Sequence, residues 1–113
     1  MTNEERQELL KRGLEIRRIH SEYREKIKEM EVHPLDIINR REKEEELARM
    51  RIEYLLKSIP GIGKVKTKRI MKELHADKGD RLEDLNTAQT IIIIDNLPET
   101  YEEYFAGTTR IGN

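Results

Sequence analysis

From Glu4 to about Glu31 the chain runs without a proline and consists mostly of Glu, Arg, Lys and Leu. These residues lose little on entering a helix, and Thr2 or Asn3 can cap the start ahead of Glu5. One long helix is expected, and it constrains everything after it: the rest must form a small body against one side of a rod. The positions Leu9, Ile16, Tyr23, Ile27 and Met30, with Leu10, Leu14 and Ile19 beside them, make a narrow apolar stripe. Its period is close to that of a helix, so one face packs and the other stays wet. With fewer than four clean heptads, the stripe reads as a contact with the chain's own globular part, ahead of weak self-association through a coil. Gly13 costs about 1 kcal/mol relative to Ala in a helix interior, which predicts fraying of the first turns.

Val32 and His33 break the pattern, and Pro34 suits the first turn of a short helix through Ile37 and Ile38 to about Arg40. Arg41 to Ile59 resumes helical spacing with Leu47, Met50, Ile52, Tyr54, Leu55 and Leu56, then stops at Ser58-Ile59-Pro60-Gly61-Ile62-Gly63. A second helix opens at Lys64, with Val65, Ile70, Met71 and Leu74 on its apolar side, and Lys78-Gly79-Asp80 is a loop. Asn86 or Thr87 can cap a last helix over Ile91 to Ile94. Four β-branched residues in a row read equally as a buried strand, but no partner strand is visible, so helix is preferred. Pro98 ends it. The expected organisation is all-α: a long N-terminal helix over 1–32, a helical domain over 33–97 with a hairpin at 58–66, and an acidic, flexible tail over 98–113.

A length of 113 residues suits one domain, and with 40% charged and 4% aromatic residues the core must be small and built from Leu and Ile. Lys and Arg number 22 against 23 for Asp and Glu, so nothing global attracts the chain to nucleic acid or an anionic membrane. The charge is local. Residues 1–58 carry 14 basic and 14 acidic side chains, residues 59–81 seven and three, and residues 82–113 one and six. An acidic tail thus offsets a basic patch and hides it from the total. The absence of Cys excludes disulfides, thiol catalysis and Cys-ligated zinc. His20, His33 and His75 have no metal spacing, Ser58 has no base beside it, and acid pairs occur on every helix, so neither a cofactor nor a reaction is expected. The acidic, polar start is unlike a signal peptide, and no apolar run approaches a membrane span, which predicts a cytoplasmic protein with no membrane partner.

The chemistry concentrates in the hairpin. Pro60 and Gly61 end one helix, and Gly61 and Gly63 permit backbone angles closed to other residues while leaving no side chain in the way of a ligand. The turn opens directly into a helix N-terminus, where unpaired N–H groups and the helix dipole favour an anion such as phosphate. From Ile62 to Lys72 there are five cations, Lys64, Lys66, Lys68, Arg69 and Lys72, and no acid. Lys64, Lys68 and Lys72 share one helix face, while Ile70 and Leu74 lie on another. A plain Pro-Gly turn with solvating lysines is the alternative. Paired glycines, an immediate basic helix and the missing acids favour a functional site. Neither Walker A spacing nor a dinucleotide fingerprint is present, which disfavours a nucleotide-binding enzyme.

This stretch resembles the helix-hairpin-helix motif and its helix-two-turn-helix relative. The likeness widens through Arg17-Arg18, Met50-Arg51-Ile52, Ile59-Pro60-Gly61-Ile62-Gly63-Lys64-Val65-Lys66 and Ile70-Met71-Lys72-Glu73-Leu74. From about Glu4 to Leu97 the chain looks like the actinobacterial type of integration host factor. The resemblance implies a nucleoid-associated protein that binds duplex DNA through phosphates, largely without reading sequence, and bends or bridges it. It implies DNA contacts at Pro60, Gly61, Ile62, Gly63, Lys64, Val65, Lys66, Thr67, Lys68 and Lys72. Where the family tends to carry an Arg-rich stretch and Gly-Leu-Gly, this chain has Asp80-Arg81-Leu82-Glu83-Asp84-Leu85-Asn86, and only Arg81 carries over. The chain is also slightly acidic where the family is basic. An RNA-binding module of the ribosomal helix-two-turn-helix type and a non-catalytic coiled-coil interaction protein are the other expectations. Arg17, Arg18 and Arg24 have Glu15, Glu22 and Glu25 as neighbours, which favours a solvated face over a second DNA contact. Tyr23, Tyr54, Tyr101, Tyr104 and Phe105 are too scattered for a base-stacking platform and read as core and tail anchors.

Overall fold

The computed structural model describes residues 2–99, and every regular element among them is helical. Helix α1 spans Asn3–Lys28. Thr2 Oγ1 accepts from the Glu5 N–H at 3.1 Å, and Glu4 and Glu5 at one end with Lys26 and Lys28 at the other complement the helix dipole. The helix runs unbroken through Gly13, with its caps and dipole complements at the two ends. At 1.5 Å per residue the rod is about 39 Å long, in a molecule measuring 51 × 33 × 23 Å. Only its second half packs on the body: Ile27 is fully buried and Tyr23 and Met30 flank it, while Leu9, Leu10 and Leu14 remain 57–63% exposed. The helix ends with Met30 in the left-handed region, φ 59°, and the Glu31 N–H donating to the Lys26 carbonyl at 2.8 Å. That closure satisfies carbonyls the helix end would otherwise leave orphaned.

Helix α2, Pro34–Arg40, has Pro34 in its first turn and His33 Nδ1 accepting from the Leu35 N–H at 3.0 Å. The sequence expectation of one helix from Arg41 to Ile59 is corrected by the structure. Helix α3 covers only Glu45–Ala48, and α4 begins at Ile52 and ends at Ser58. Between them the backbone bonds elsewhere: the Met50 carbonyl accepts from the Leu82 N–H at 2.8 Å, and the Ile52 N–H donates to the Asp80 carbonyl at 3.1 Å. These partners replace helical ones and set Arg51 beside Arg81 in an isolated antiparallel bridge.

Helix α5, Lys64–Glu73, leads through a loop and a 3₁₀ turn at Leu82–Asp84 to α6, Thr87–Asp95. The helix preferred over Ile91 to Ile94 is what forms. Asn86 Oδ1 accepts from the Gln89 N–H at 2.8 Å and Gln89 Oε1 from the Asn86 N–H at 3.0 Å, a reciprocal cap that commits the segment locally. Gln89 also donates to the Leu74 carbonyl at 2.9 Å, tying α6 to the end of α5. The largest fully buried side chains are Ile27, Ile37, Ile38, Leu47, Met50, Ile52, Leu55, Leu56, Ile59, Ile70 and Leu82. Every one is aliphatic or Met, each contributing about 1.5–3 kcal/mol on burial. Of the expected tail, all but Pro98 and Glu99 lies outside the described residues.

Candidate nucleic-acid interface

The hairpin between α4 and α5 is closed by the Ile62 N–H donating to the Ile59 carbonyl at 3.0 Å. Gly61 has φ +91°, and a Cβ there would lie 2.8 Å from Pro98 Cγ. Both backbone and space therefore demand glycine at this position. Gly63 differs from the sequence expectation. Its φ is −92° with ψ −173°, open to any residue, and a Cβ would meet nothing within 4 Å. What Gly63 provides is an uncovered backbone at the helix entrance, not an unusual angle.

That entrance is rich in free donors. The first bond into α5 runs from the Thr67 N–H to the Gly63 carbonyl at 2.9 Å, and Gly63 supplies no side-chain cap. Among the described residues, no backbone acceptor receives the N–H groups of Gly63, Lys64, Val65 or Lys66. Lys64, Lys68, Arg69 and Lys72 are exposed and Lys66 half-buried, and none is ion-paired among the described residues. Unpaired donors, the positive end of a ten-residue helix and unneutralised cations coincide here.

The remaining hairpin residues divide by depth. Pro60 is half-buried, and the side chains of Ile62 and Thr67 are buried, so they shape the turn from inside and only their backbone can reach a ligand. Thr67 Oγ1 has no hydrogen-bond partner among the described residues. Val65, expected on the apolar side, is 84% exposed, because the first turn of α5 stands clear of the core that Ile70, Met71 and Leu74 enter. Arg81 is not brought to the hairpin. It lies beside Arg51, at the opposite end of α4, and seven helical residues separate the two places by about 10 Å.

Beneath the hairpin is a contact that sequence spacing did not reveal. Arg24 Nε donates to Ser58 Oγ at 2.9 Å, and Ser58 Oγ donates to the Tyr54 carbonyl at 2.8 Å. The Arg24 guanidinium lies 5.0 Å from the Tyr54 ring centre and that of Arg51 5.5 Å. Arg24 is thus no solvating residue but a clamp from α1 onto the last turn of α4. Arg18, paired with Glu22 at 2.9 Å in the open, does fit the solvated reading. Nearby, a hydrogen bond from Lys57 holds the Glu53 carboxyl below the ordinary carboxylate range. Among the described residues, no group of three or more His, Asp or Glu side chains could hold a metal ion, and no helix is long and apolar enough to cross a membrane.

The family model described as S13-like H2TH domain matches residues 27–97, from the end of α1 through α6. The integration host factor of Mycobacterium tuberculosis is 30% identical over 89 residues, 79% of this chain and 85% of that protein. The chain belongs to the actinobacterial integration host factor family, on an S13-like H2TH domain. The integration host factor of Mycolicibacterium smegmatis is 27% identical over 100 residues, covering 88% of this chain and 95% of its own length. That of Streptomyces coelicolor is 28% identical over 89 residues, 79% and 83% of the two chains. A solved structure described as sIHF bound to an 8bp palindromic DNA superposes with a TM-score of 0.72 at 24% identity, covering 78% of this chain and 99% of that one. The two chains share the fold.

Proposed function

We propose that this family member is a nucleoid-associated protein that binds duplex DNA through its phosphates, largely independently of sequence, and bends or bridges it. The observation that carries this is the entrance to α5, where, among the described residues, four successive N–H groups lack acceptors and the flanking lysines lack carboxylates. A phosphate there accepts from the N–H groups of Gly63, Lys64, Val65 and Lys66, with Lys64 and Lys66 closing on it and Lys68 and Lys72 meeting phosphates further along. Pro60, Gly61, Ile62 and Thr67 hold the turn in shape. Arg81 makes a separate contact. Backbone donors and lysines on phosphate position a duplex without reading its bases. The names of the integration host factors it resembles and the DNA in the neighbouring structure support the same reading. The role assigned is binding, with no reaction, in the cytoplasm on the nucleoid.

A mobility-shift titration on duplex DNA at several salt concentrations tests this, with duplex RNA as competitor. Four or five phosphates give a slope of log K against log salt of about −4. The double variant Lys64→Glu, Lys66→Glu should lose binding while circular dichroism shows unchanged helix content, since neither side chain enters the core. Salt-independent affinity, undiminished affinity in the folded variant, or preferential displacement by RNA refutes the reading.

A further inference from the structure

The sequence separates its charge into a basic block over 59–81, with seven cations and three acids, and an acidic block over 82–113, with one cation and six acids. The fold brings the two together. Pro98, next to the end of the described chain, packs so close to the hairpin that a Cβ on Gly61 would lie 2.8 Å from its Cγ. Gly63 is two residues further along, no more than about 7 Å from Gly61. The chain therefore leaves the helical body beside the entrance to α5, and the residues that leave it there are Glu99-Thr100-Tyr101-Glu102-Glu103-Tyr104-Phe105. Glu99 is exposed. Four or five extended residues span about 13–18 Å, which puts Glu102 and Glu103 within reach of the entrance.

What stands at the entrance suits that segment. Among the described residues, Lys64 and Lys66 have no carboxylate partner, and the N–H groups of Gly63, Lys64, Val65 and Lys66 have no backbone acceptor. Carboxylate oxygens accept from such donors as phosphate oxygens do. Val65, between the two lysines, is 84% exposed. A phosphate makes no use of that isopropyl group. Tyr101, Tyr104 and Phe105, interleaved with the acids, offer it an apolar partner and present ring faces to lysine ammonium groups. Charge and apolar surface are thus complementary at the same place. We propose that segment 99–105 docks on the α5 entrance of its own chain and competes there with duplex DNA. The proposal rests on the function given above, since the site it regulates is that same phosphate site. Tethered beside its target, the segment acts at an effective concentration in the millimolar range, roughly independent of protein concentration. Exposed carboxylate–lysine pairs are individually weak, and those of Glu99, Glu102 and Glu103 together amount to about a tenfold competition. A site open in about one molecule in ten binds with an apparent affinity about tenfold lower.

The test compares the full chain with the tail variant Glu99→Gln, Glu102→Gln, Glu103→Gln. A control with the same change of charge, Glu4→Gln, Glu5→Gln, Glu8→Gln, alters the exposed first turns of α1 instead. Circular dichroism follows folding, and anisotropy of a labelled duplex measures affinity at about 0.1 M salt, where charges beyond about 10 Å are largely screened. The amide resonances of Gly63, Lys64, Val65 and Lys66 are compared without DNA. The tail variant should bind the duplex about tenfold more tightly than wild type and the control less than about threefold. Those four amides should shift between wild type and the tail variant and stay in place in the control. An equal gain in both variants would reduce the effect to net charge, and unmoved amides would show that the segment does not dock; either result overturns the proposal. Shifted amides without a gain in affinity overturn it too, because docking would then not compete. If no variant binds duplex, the DNA reading falls and competition with it, while the amides decide separately whether the segment docks.

Discussion

Replacing each hairpin glycine by alanine should separate stability from binding. At Gly61 an L-residue must adopt φ +91°, which costs about 1–2 kcal/mol, and its Cβ would lie 2.8 Å from Pro98 Cγ. Relieving that overlap adds about 1–3 kcal/mol if Pro98 keeps its place, and less if it swings outward. Gly61→Ala is therefore expected to lose about 2–4 kcal/mol and to lower Tm by at least about 10 °C. At Gly63 the extended backbone accepts alanine with nothing nearby. Reduced freedom of the unfolded chain gains about 0.4–1 kcal/mol, and alanine's poorer performance as an N-cap loses a similar amount, so Tm should hardly move. The new methyl instead stands beside the N–H groups that receive the phosphate. Losing a charge-assisted hydrogen bond of about 1.5–3 kcal/mol predicts affinity about 10- to 100-fold weaker. Thermal unfolding by circular dichroism gives the first quantity, and anisotropy of a labelled duplex, corrected for folded fraction, gives the second. Wild-type affinity in folded Gly63→Ala would mean that lysine side chains alone hold the duplex. An unchanged Tm in Gly61→Ala would mean that the turn does not require its positive φ.

Ser58→Ala should lower stability by about 1–2 kcal/mol, because it removes the hydroxyl that receives Arg24 and leaves that guanidinium short of a partner; chemical denaturation measures it, and a change below about 0.3 kcal/mol would show the clamp to be idle. Leu56→Ala, at a fully buried position, should cost about 2–5 kcal/mol in the same assay. Glu53 titrates below its ordinary value of 4.5 because of the hydrogen bond from Lys57, so its contribution is complete above that value and disappears as pH falls through the lowered native one. The Tm difference between wild type and Glu53→Gln should accordingly be largest near neutrality and close on acidification toward pH 3, and a gap that widens in acid would reverse the assignment.

What could be seen in the sequence was what local chemistry decides. Thr2 and Asn86 accept from donors within their own first turn and Pro34 has no N–H to satisfy, so the helices they open stand where expected. The break at Met50 and Arg51 had no local sign, since its cause is two backbone bonds to residues about thirty positions on. Gly61 and Gly63 are alike in a sequence, yet only Pro98 and the turn's handedness distinguish them. Arg18 and Arg24 sit in similar runs of charge on one helix. The different outcomes follow from the side of α1 that meets α4, which brings Ser58 and Tyr54 to one and leaves Glu22 to the other. The basic helix was legible because charge and glycine spacing are one-dimensional, whereas the approach of Pro98 to Gly61 requires distant segments to meet first.

The lack of aromatic side chains in the core of the described residues has a spectroscopic consequence. The chain has no Trp, and the two Tyr among the described residues, Tyr23 and Tyr54, flank the seam where α1 meets the body. With Tyr101 and Tyr104 replaced by Phe, tyrosine emission and near-ultraviolet dichroism report on the docking of the rod, while far-ultraviolet dichroism follows the helices themselves. A melt in which the tyrosine signal moves several degrees before ellipticity would show the rod lifting from a still-folded body, and coincident curves would show that rod and body come apart as one unit.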